Sequence, residues 1–166
     1  MKRISLTLCL AFLTVLFCQA QVAPLKFNKN GEFKIVQFTD IHFQYHNPAS
    51  AIALKRINEV LDAERPDLIV FTGDVVYAPP ADTAMRAVLD CASSRKIPFV
   101  VTFGNHDNEQ GKTRAELYDI IRSMPYNIQP DRGSVESPDY VLTVKSSDGK
   151  KDASVLYCLD SHSYSK

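Results

Sequence analysis

Segments rich in β-branched and aromatic residues alternate with segments of helical apolar spacing, in the order β-α-β-α-β-α-β-β. That order predicts an α/β layered domain with parallel pairing in its first half. Two further features agree. Leu68-Ile69-Val70-Phe71 is a continuous apolar run, as in a strand buried on both faces. No repeat, low-complexity stretch or linker interrupts the chain, and 166 residues with 45% hydrophobic and 23% charged side chains suit one globular domain.

The first strand is expected over residues 32–39, Glu-Phe-Lys-Ile-Val-Gln-Phe-Thr. A helix follows over 51–63, where Ala53, Leu54, Ile57, Val60 and Leu61 share one face at three-four spacing. Ser50 is placed as its N-cap and Pro66 as its stop. The second strand covers 67–72. Pro79-Pro80 then leads into a helix over about 82–95, with Met85, Val88, Leu89 and Ala92 on one side. The third strand is expected over 97–103. A third helix over about 114–124 opens on a Thr113/Glu116 capping box, buries Leu117, Ile120, Ile121 and Met124, and ends at Pro125. Residues 140–144 and 154–159 read as two further strands, with Asp148-Gly149 in the polar turn between them.

The first twenty residues read as an address. Lys2-Arg3 precedes an apolar run over 4–17, and Cys18-Gln19-Ala20 offers small residues before a cleavage point. This is the build of a secretory signal peptide, and the run is too short to span a bilayer comfortably. The expectation is residues 1–20 removed, residues 21–166 exported to the periplasm or secreted, and no transmembrane span after cleavage. An uncleaved anchor and lipid anchoring at Cys18 are the lesser alternatives, the bulky Phe17 arguing against the second. Export would permit a Cys91–Cys158 disulfide, but both fall in apolar segments and are expected as buried free thiols. There is no C-x-x-C, which excludes zinc-ribbon and thioredoxin-type sites. Basic and acidic residues number 19 each, and loss of Lys2 and Arg3 tilts the balance to −2. Bulk charge therefore suggests no nucleic-acid-binding surface.

Ligands of α/β sheets bind beyond the carboxyl ends of the strands. The first strand ends in Asp40-Ile41-His42, the second in Gly73-Asp74, the third in Gly104-Asn105-His106-Asp107. Each motif alone is an ordinary turn. Three consecutive strands delivering metal-ligand types to the same end is far more specific. Asp-x-His puts a hard carboxylate and an imidazole on one short turn, and a Gly before Asp74 permits a tight backbone that presents a carboxylate able to bridge two ions. Asn105 adds a neutral oxygen. Mixed oxygen and nitrogen ligation suits manganese, iron or zinc better than calcium. Two such ions roughly 3.5–4 Å apart can clamp a phosphate and hold a bridging hydroxide. His106 can then face the leaving group, oriented by Asp107.

These motifs resemble those of the calcineurin-like metallophosphoesterase superfamily: Asp-x-His, Gly-Asp, Gly-Asn-His-(Asp/Glu), a later His, then Gly-His-x-His. The resemblance spans about residues 33–160. Leu159-Asp160-Ser161 and the leader are similar to the purple-acid-phosphatase-like branch. It implies the N-terminal half of an α/β sandwich of two sheets, a dinuclear centre of divalent or mixed-valence ions (Mn, Fe or Zn), and hydrolysis of a phosphomonoester or phosphodiester substrate by a metal-bridging hydroxide. Carried over by position, Asp40 and His42 would bind the first ion, Asp74 would bridge both, Asn105 would bind the second, and His106 would be the catalytic residue outside the ligand set, with Asp107 beside it.

Two departures stand out. The later His and Gly-His-x-His are missing, the histidines being His42, His46, His106 and His162. The expectation is thus the N-terminal portion of a longer protein or a truncated product, the other half completing the second sheet. In addition, Gly73-Asp74-Val75-Val76-Tyr77 matches the Gly-Asp-x-x-Tyr of true purple acid phosphatases, where the Tyr binds iron, although His42 already stands at the competing position. Tyr77 is expected mainly in loop packing, His46 in a solvated loop overhanging the site and His162 outside it, with substrate contact or a replacement ligand role for His46, and a rescue ligand role for His162, as the lesser alternatives. The alternative is a catalytically incomplete fragment that binds at most one metal, or an interaction remnant with exposed sheet edges. Serine hydrolase and P-loop chemistry lack their motifs, G-x-S-x-G and Walker A.

Overall fold

The computed structural model describes residues 22–164; the leader read in residues 1–20 lies outside the described residues. Strands β1 (Ile35–Phe38), β2 (Leu68–Thr72) and β3 (Phe99–Thr102) form a parallel sheet in the order β1-β2-β3. Ile35 pairs with Leu68, and Ile69 with Phe99. Helices α1 (Ala51–Glu64) and α2 (Ala81–Ser93) make the crossovers, and α3 (Arg114–Arg122) follows β3. A hairpin of β4 (Tyr140–Lys145) and β5 (Asp152–Cys158) follows, with Tyr140 opposite Cys158.

The side-chain alternation of a strand divides the core into two faces. Ile69, Phe71, Phe99 and Val101 point to the helix layer and pack with Ile57, Leu61, Met85, Val88, Leu89, Leu117 and Ile121. Leu68, Val70 and Val100 point the other way, onto Tyr140, Leu142, Val144, Leu156 and Cys158 of the hairpin. The order is helices, parallel sheet, hairpin: an α/β/β stack consistent with one half of a sandwich. The central strand is covered on both sides, which is why its apolar run is continuous. Among the described residues no helix is long and apolar enough to cross a membrane.

Several local expectations need correction. β1 is shorter than residues 32–39, because Lys34 N–H donates to the Asp67 carboxylate at 2.7 Å. β3 starts at Phe99 and stops at Thr102, where the chain turns into the site. α2 ends at Ser93, and Lys96 takes a left-handed conformation with φ 59°. Val60 is 38% exposed, so the buried seam of α1 is the four-spaced pair Ile57 and Leu61. Ser50 makes no capping bond to α1; it closes a 3₁₀ turn, Pro48–Ser50, whose cap is Asn47, accepting from Ala49 N–H at 3.0 Å. The Ser50 hydroxyl instead accepts from Gln44 N–H at 3.2 Å. The Thr113/Glu116 capping box is present, and it holds the Glu116 carboxyl down at about 2 through the Thr113 N–H and Lys112. Cys91 and Cys158 are both free and buried, and burial pushes both thiols up.

Beyond β5, Asp160 forms a buried ion pair with Arg114 at the start of α3. Burial alone would raise the Asp160 carboxyl, but the Arg114 bonds and the His162 N–H outweigh it and hold it below the usual carboxylate range. A carboxyl depressed by folding adds stability above the unfolded pKa of about 3.9, and that stability is lost as pH falls through the folded value. Asp160→Asn leaves Arg114 buried without its counter-charge, so at pH 7 it is expected to cost about 3–5 kcal/mol. In urea unfolding the gap between variant and wild type should narrow as pH drops below about 4; a gap independent of pH would refute this role for the pair.

Candidate metal centre

The turns that follow the three strands are laced together. Asp40 N–H donates to Gly73 O at 3.1 Å, His42 N–H to Asp74 O at 2.9 Å and Phe43 N–H to Val75 O at 2.9 Å. These bonds prolong the β1–β2 ladder beyond the strands. They also hold Asp40, His42 and Asp74 at φ 52°, 49° and 50°, left-handed conformations that cost non-glycine residues on the order of 1 kcal/mol each. Such strain persists only where the surroundings over-determine it, and it clusters at functional sites.

The same three residues bring their ligand atoms together. Asp40, His42 and Asp74 each offer one donor atom, and all lie within 4.8 Å of one another. His42 Nε2 is 3.4 Å from Asp74 Oδ2. Asp40 and His42 are exposed, while Asp74 is 8% exposed. Two carboxylates and an imidazole converging without an interposed cationic side chain are a donor set whose chemistry suits a transition metal. The Thr39 hydroxyl donates to Asp40 Oδ2 at 2.6 Å and orients that carboxylate from behind. Asn105 stands on the turn after β3; its Nδ2 donates to the Tyr164 hydroxyl at 3.0 Å, so Oδ1 is the atom that it could offer a cation.

His106 sits in the same turn, its ring 5.9 Å from that of His42 and 5.0 Å from that of Tyr77. Its expected partner needs correction. His106 Nδ1 faces Glu109 Oε2 at 2.6 Å, not Asp107. The two residues are three apart across the 3₁₀ turn Asp107–Glu109, where such side chains eclipse. Glu109 raises the His106 pKa through this bond, with smaller contributions from the Asp74 and Asp107 charges.

Asp107 does something else. It is fully buried, and its carboxylate receives four backbone N–H groups. Oδ2 accepts from Asp74 at 3.0 Å and Gly104 at 2.9 Å; Oδ1 accepts from Val75 at 2.8 Å and Val76 at 3.1 Å. Burial pushes its pKa up and these donors pull it back. In return, Asp74 Oδ1 accepts from His106 N–H at 3.0 Å. Each turn thus holds the other's carboxylate. The approach is so close that a Cβ on Gly104 would lie 2.1 Å from Asp74 Oδ1, and one on Gly73 would lie 2.5 Å from Gly104 N.

The other histidines stay apart. His46 packs on Tyr45 at 4.9 Å and is exposed, and His162 N–H donates to Asp160 Oδ1; neither belongs to the grouped donors. Tyr77 flanks both site imidazoles, 4.9 Å from His42. Sequence reasoning missed Glu109, Thr39 and Tyr164. Only Glu109 carries a local signal, an acidic residue three places after a histidine.

Asp107→Asn keeps the side-chain shape but turns an NH₂ toward two of the four N–H donors. Each buried donor left unpaired costs about 1–3 kcal/mol, so urea unfolding should show a loss of roughly 2–6 kcal/mol. A wild-type unfolding midpoint in Asp107→Asn would refute this role for the carboxylate.

Comparison with known proteins agrees with this geometry. The model of the calcineurin-like phosphoesterase family matches residues 33–161. The chain is 30% identical over 159 residues to the phosphatase DCR2 of Saccharomyces cerevisiae, covering 81% of this chain and 28% of that protein. It is 37% identical over 123 residues to an Arabidopsis thaliana protein named probable inactive purple acid phosphatase 29, covering 64% and 32%. It is 31% identical over 85 residues to the UDP-2,3-diacylglucosamine pyrophosphatase LpxG of Chlamydia trachomatis, covering 51% and 25%. The chain thus spans about a third or less of these three relatives. With the family match over most of its length and the strand-end donors in place, the chain belongs to the calcineurin-like phosphoesterase family.

Proposed function

We propose that this chain carries the metal-binding half of an exported phosphohydrolase acting on phosphomonoesters or phosphodiesters. Asp40 and His42 would hold one transition-metal ion, Asp74 would be shared, and Asn105 would hold a second. The observation that carries the reading is the convergence of Asp40, His42 and Asp74 within 4.8 Å at the carboxyl end of a parallel sheet, with the Asn105-His106 turn bonded to Asp74. Export rests on the composition of residues 1–20.

Bound manganese, iron or zinc supplies positive charge for phosphoryl oxygens and acidifies water. The chain's own residues do the rest. Asp74, largely buried, is held by the His106 N–H, so its position is set before any ligand arrives. His106 has Nδ1 occupied by Glu109, so Nε2 is the atom that would pass a proton to the leaving oxygen. The near-zero net charge leaves substrate capture to the centre itself rather than to a long-range field.

A second reading, in which the 166-residue chain binds one ion and is catalytically incomplete by itself, is favoured by one observation: among the described residues the grouped acidic and imidazole donors number three. One experiment separates the two. Purified chain is assayed with Mn²⁺ on p-nitrophenyl phosphate and its bis-ester, with bound manganese counted per chain. The proposal expects two ions per chain, and Asp74→Ala is expected to abolish Mn²⁺-dependent hydrolysis in the complete protein. His106→Gln should keep the metal and lower kcat by about 10²–10⁴-fold. Full activity in Asp74→Ala would refute the site; a single ion with no turnover would favour the second reading.

A further inference from the structure

Arg114 is not used by any step above, yet it is 6% exposed and makes more polar contacts than its place at the start of a helix requires. Its Nε donates to Asp160 Oδ2 at 3.2 Å and its Nη2 to Asp160 Oδ1, a bidentate pair. Nη1 reaches the Gly104 carbonyl at 3.0 Å, Asn108 Oδ1 at 3.0 Å and Ser163 Oγ at 3.3 Å. The guanidinium also lies 5.2 Å from the centre of the Phe103 ring. One side chain therefore fastens both flanks of the Asn105-His106 turn to the segment that follows β5. That segment is pinned further: Asp160 N–H donates to Asp139 at 2.7 Å, and Ser163 Oγ donates to Asn108 Oδ1 at 3.3 Å. The Tyr164 hydroxyl of this segment lies 3.0 Å from Asn105 Nδ2.

We infer that residues 160–164 are a positioning element of the metal centre: Arg114 seats them against the turn after β3, and the Tyr164 hydroxyl holds the Asn105 amide by its nitrogen so that Oδ1 is offered to the cation. A phenol oxygen accepts from Nδ2 while a cation takes Oδ1, so the two partners select the same amide orientation. This is the work of an outer partner that orients a ligand, whose loss usually weakens a metal site about 10–100-fold. The inference rests on the reading of Asn105 as a ligand.

The test is Mn²⁺ titration of the full chain by calorimetry, with thermal unfolding alongside. Tyr164→Phe removes one hydroxyl from a residue that is 68% exposed. It is expected to weaken the looser Mn²⁺ site at least tenfold, to leave the tighter site unchanged and to leave the thermal midpoint at the wild-type value. Arg114→Lys keeps the charge but loses the planar fork; it is expected to weaken the same site and to lower the midpoint as well. Wild-type binding at both sites in Tyr164→Phe overturns the inference. Asn105→Ala tells which layer has failed. If Asn105→Ala loses the looser site while Tyr164→Phe retains it, only the positioning role falls. If Asn105→Ala binds as wild type does, or if the wild-type chain takes up a single ion, the ligand assignment of Asn105 falls and the inference with it.

Discussion

Four backbone N–H groups converge on the buried carboxylate of Asp107, and the candidate metal centre depends on that convergence. A buried carboxylate is costly unless fully bonded, and bonds to a charged acceptor contribute about 1.5–3 kcal/mol each. Asp107 meets both conditions by taking the amides of Asp74, Val75 and Val76 from the turn after β2 and that of Gly104 from its own. The two turns are more than thirty residues apart in sequence, and this one side chain brings their backbones together. Asp74 answers by accepting the His106 N–H, so the proposed shared ligand and the proposed general acid are joined through the main chain.

That cross-link explains two other features. Gly73 and Gly104 meet where a Cβ on either would lie far inside van der Waals contact with the facing turn, so the glycines follow from the closeness that Asp107 enforces. The left-handed backbone at Asp40, His42 and Asp74 is likewise held by the lattice of N–H···O bonds that extends the β1–β2 ladder. The layers supply the rigidity behind this. With Phe71 and Phe99 fully buried against the helices and Leu68 and Val100 against the hairpin, the strands have little room to slide. Strain at their ends is therefore not relieved by movement of the sheet.

The layered fold was legible because its signals are local and periodic: a continuous apolar run for β2, three-four spacing in α2 and α3, a capping box at Thr113. The gathering of Asp40, His42 and Asp74 was legible because parallel topology brings successive strand ends to one edge. What was not legible depends on side-chain direction within a turn. Asp107 follows His106 directly, and adjacency suggested that the two would pair. Instead the chain turns Asp107 inward to the amides and carries Glu109, one 3₁₀ turn on, back to the imidazole. Ser50 failed as a cap for a similar reason: a short helical turn before α1 had already supplied the first bonds. Long-range partners such as Arg114 with Asp160, or Asn105 with Tyr164, leave no trace in local sequence.

Family membership accounts for the strand-end donors, and the chain's share of its relatives, 28% of the yeast phosphatase, makes the centre rather than the whole molecule the subject of any direct test. Anomalous X-ray scattering at the manganese edge, from crystals of the chain grown with Mn²⁺, addresses it most directly. The account expects the strongest peak about 2.0–2.2 Å from a carboxylate oxygen of Asp74, with Asp40 and His42 completing its ligands. Manganese bound elsewhere, with the Asp74 carboxylate free of any peak, would contradict it.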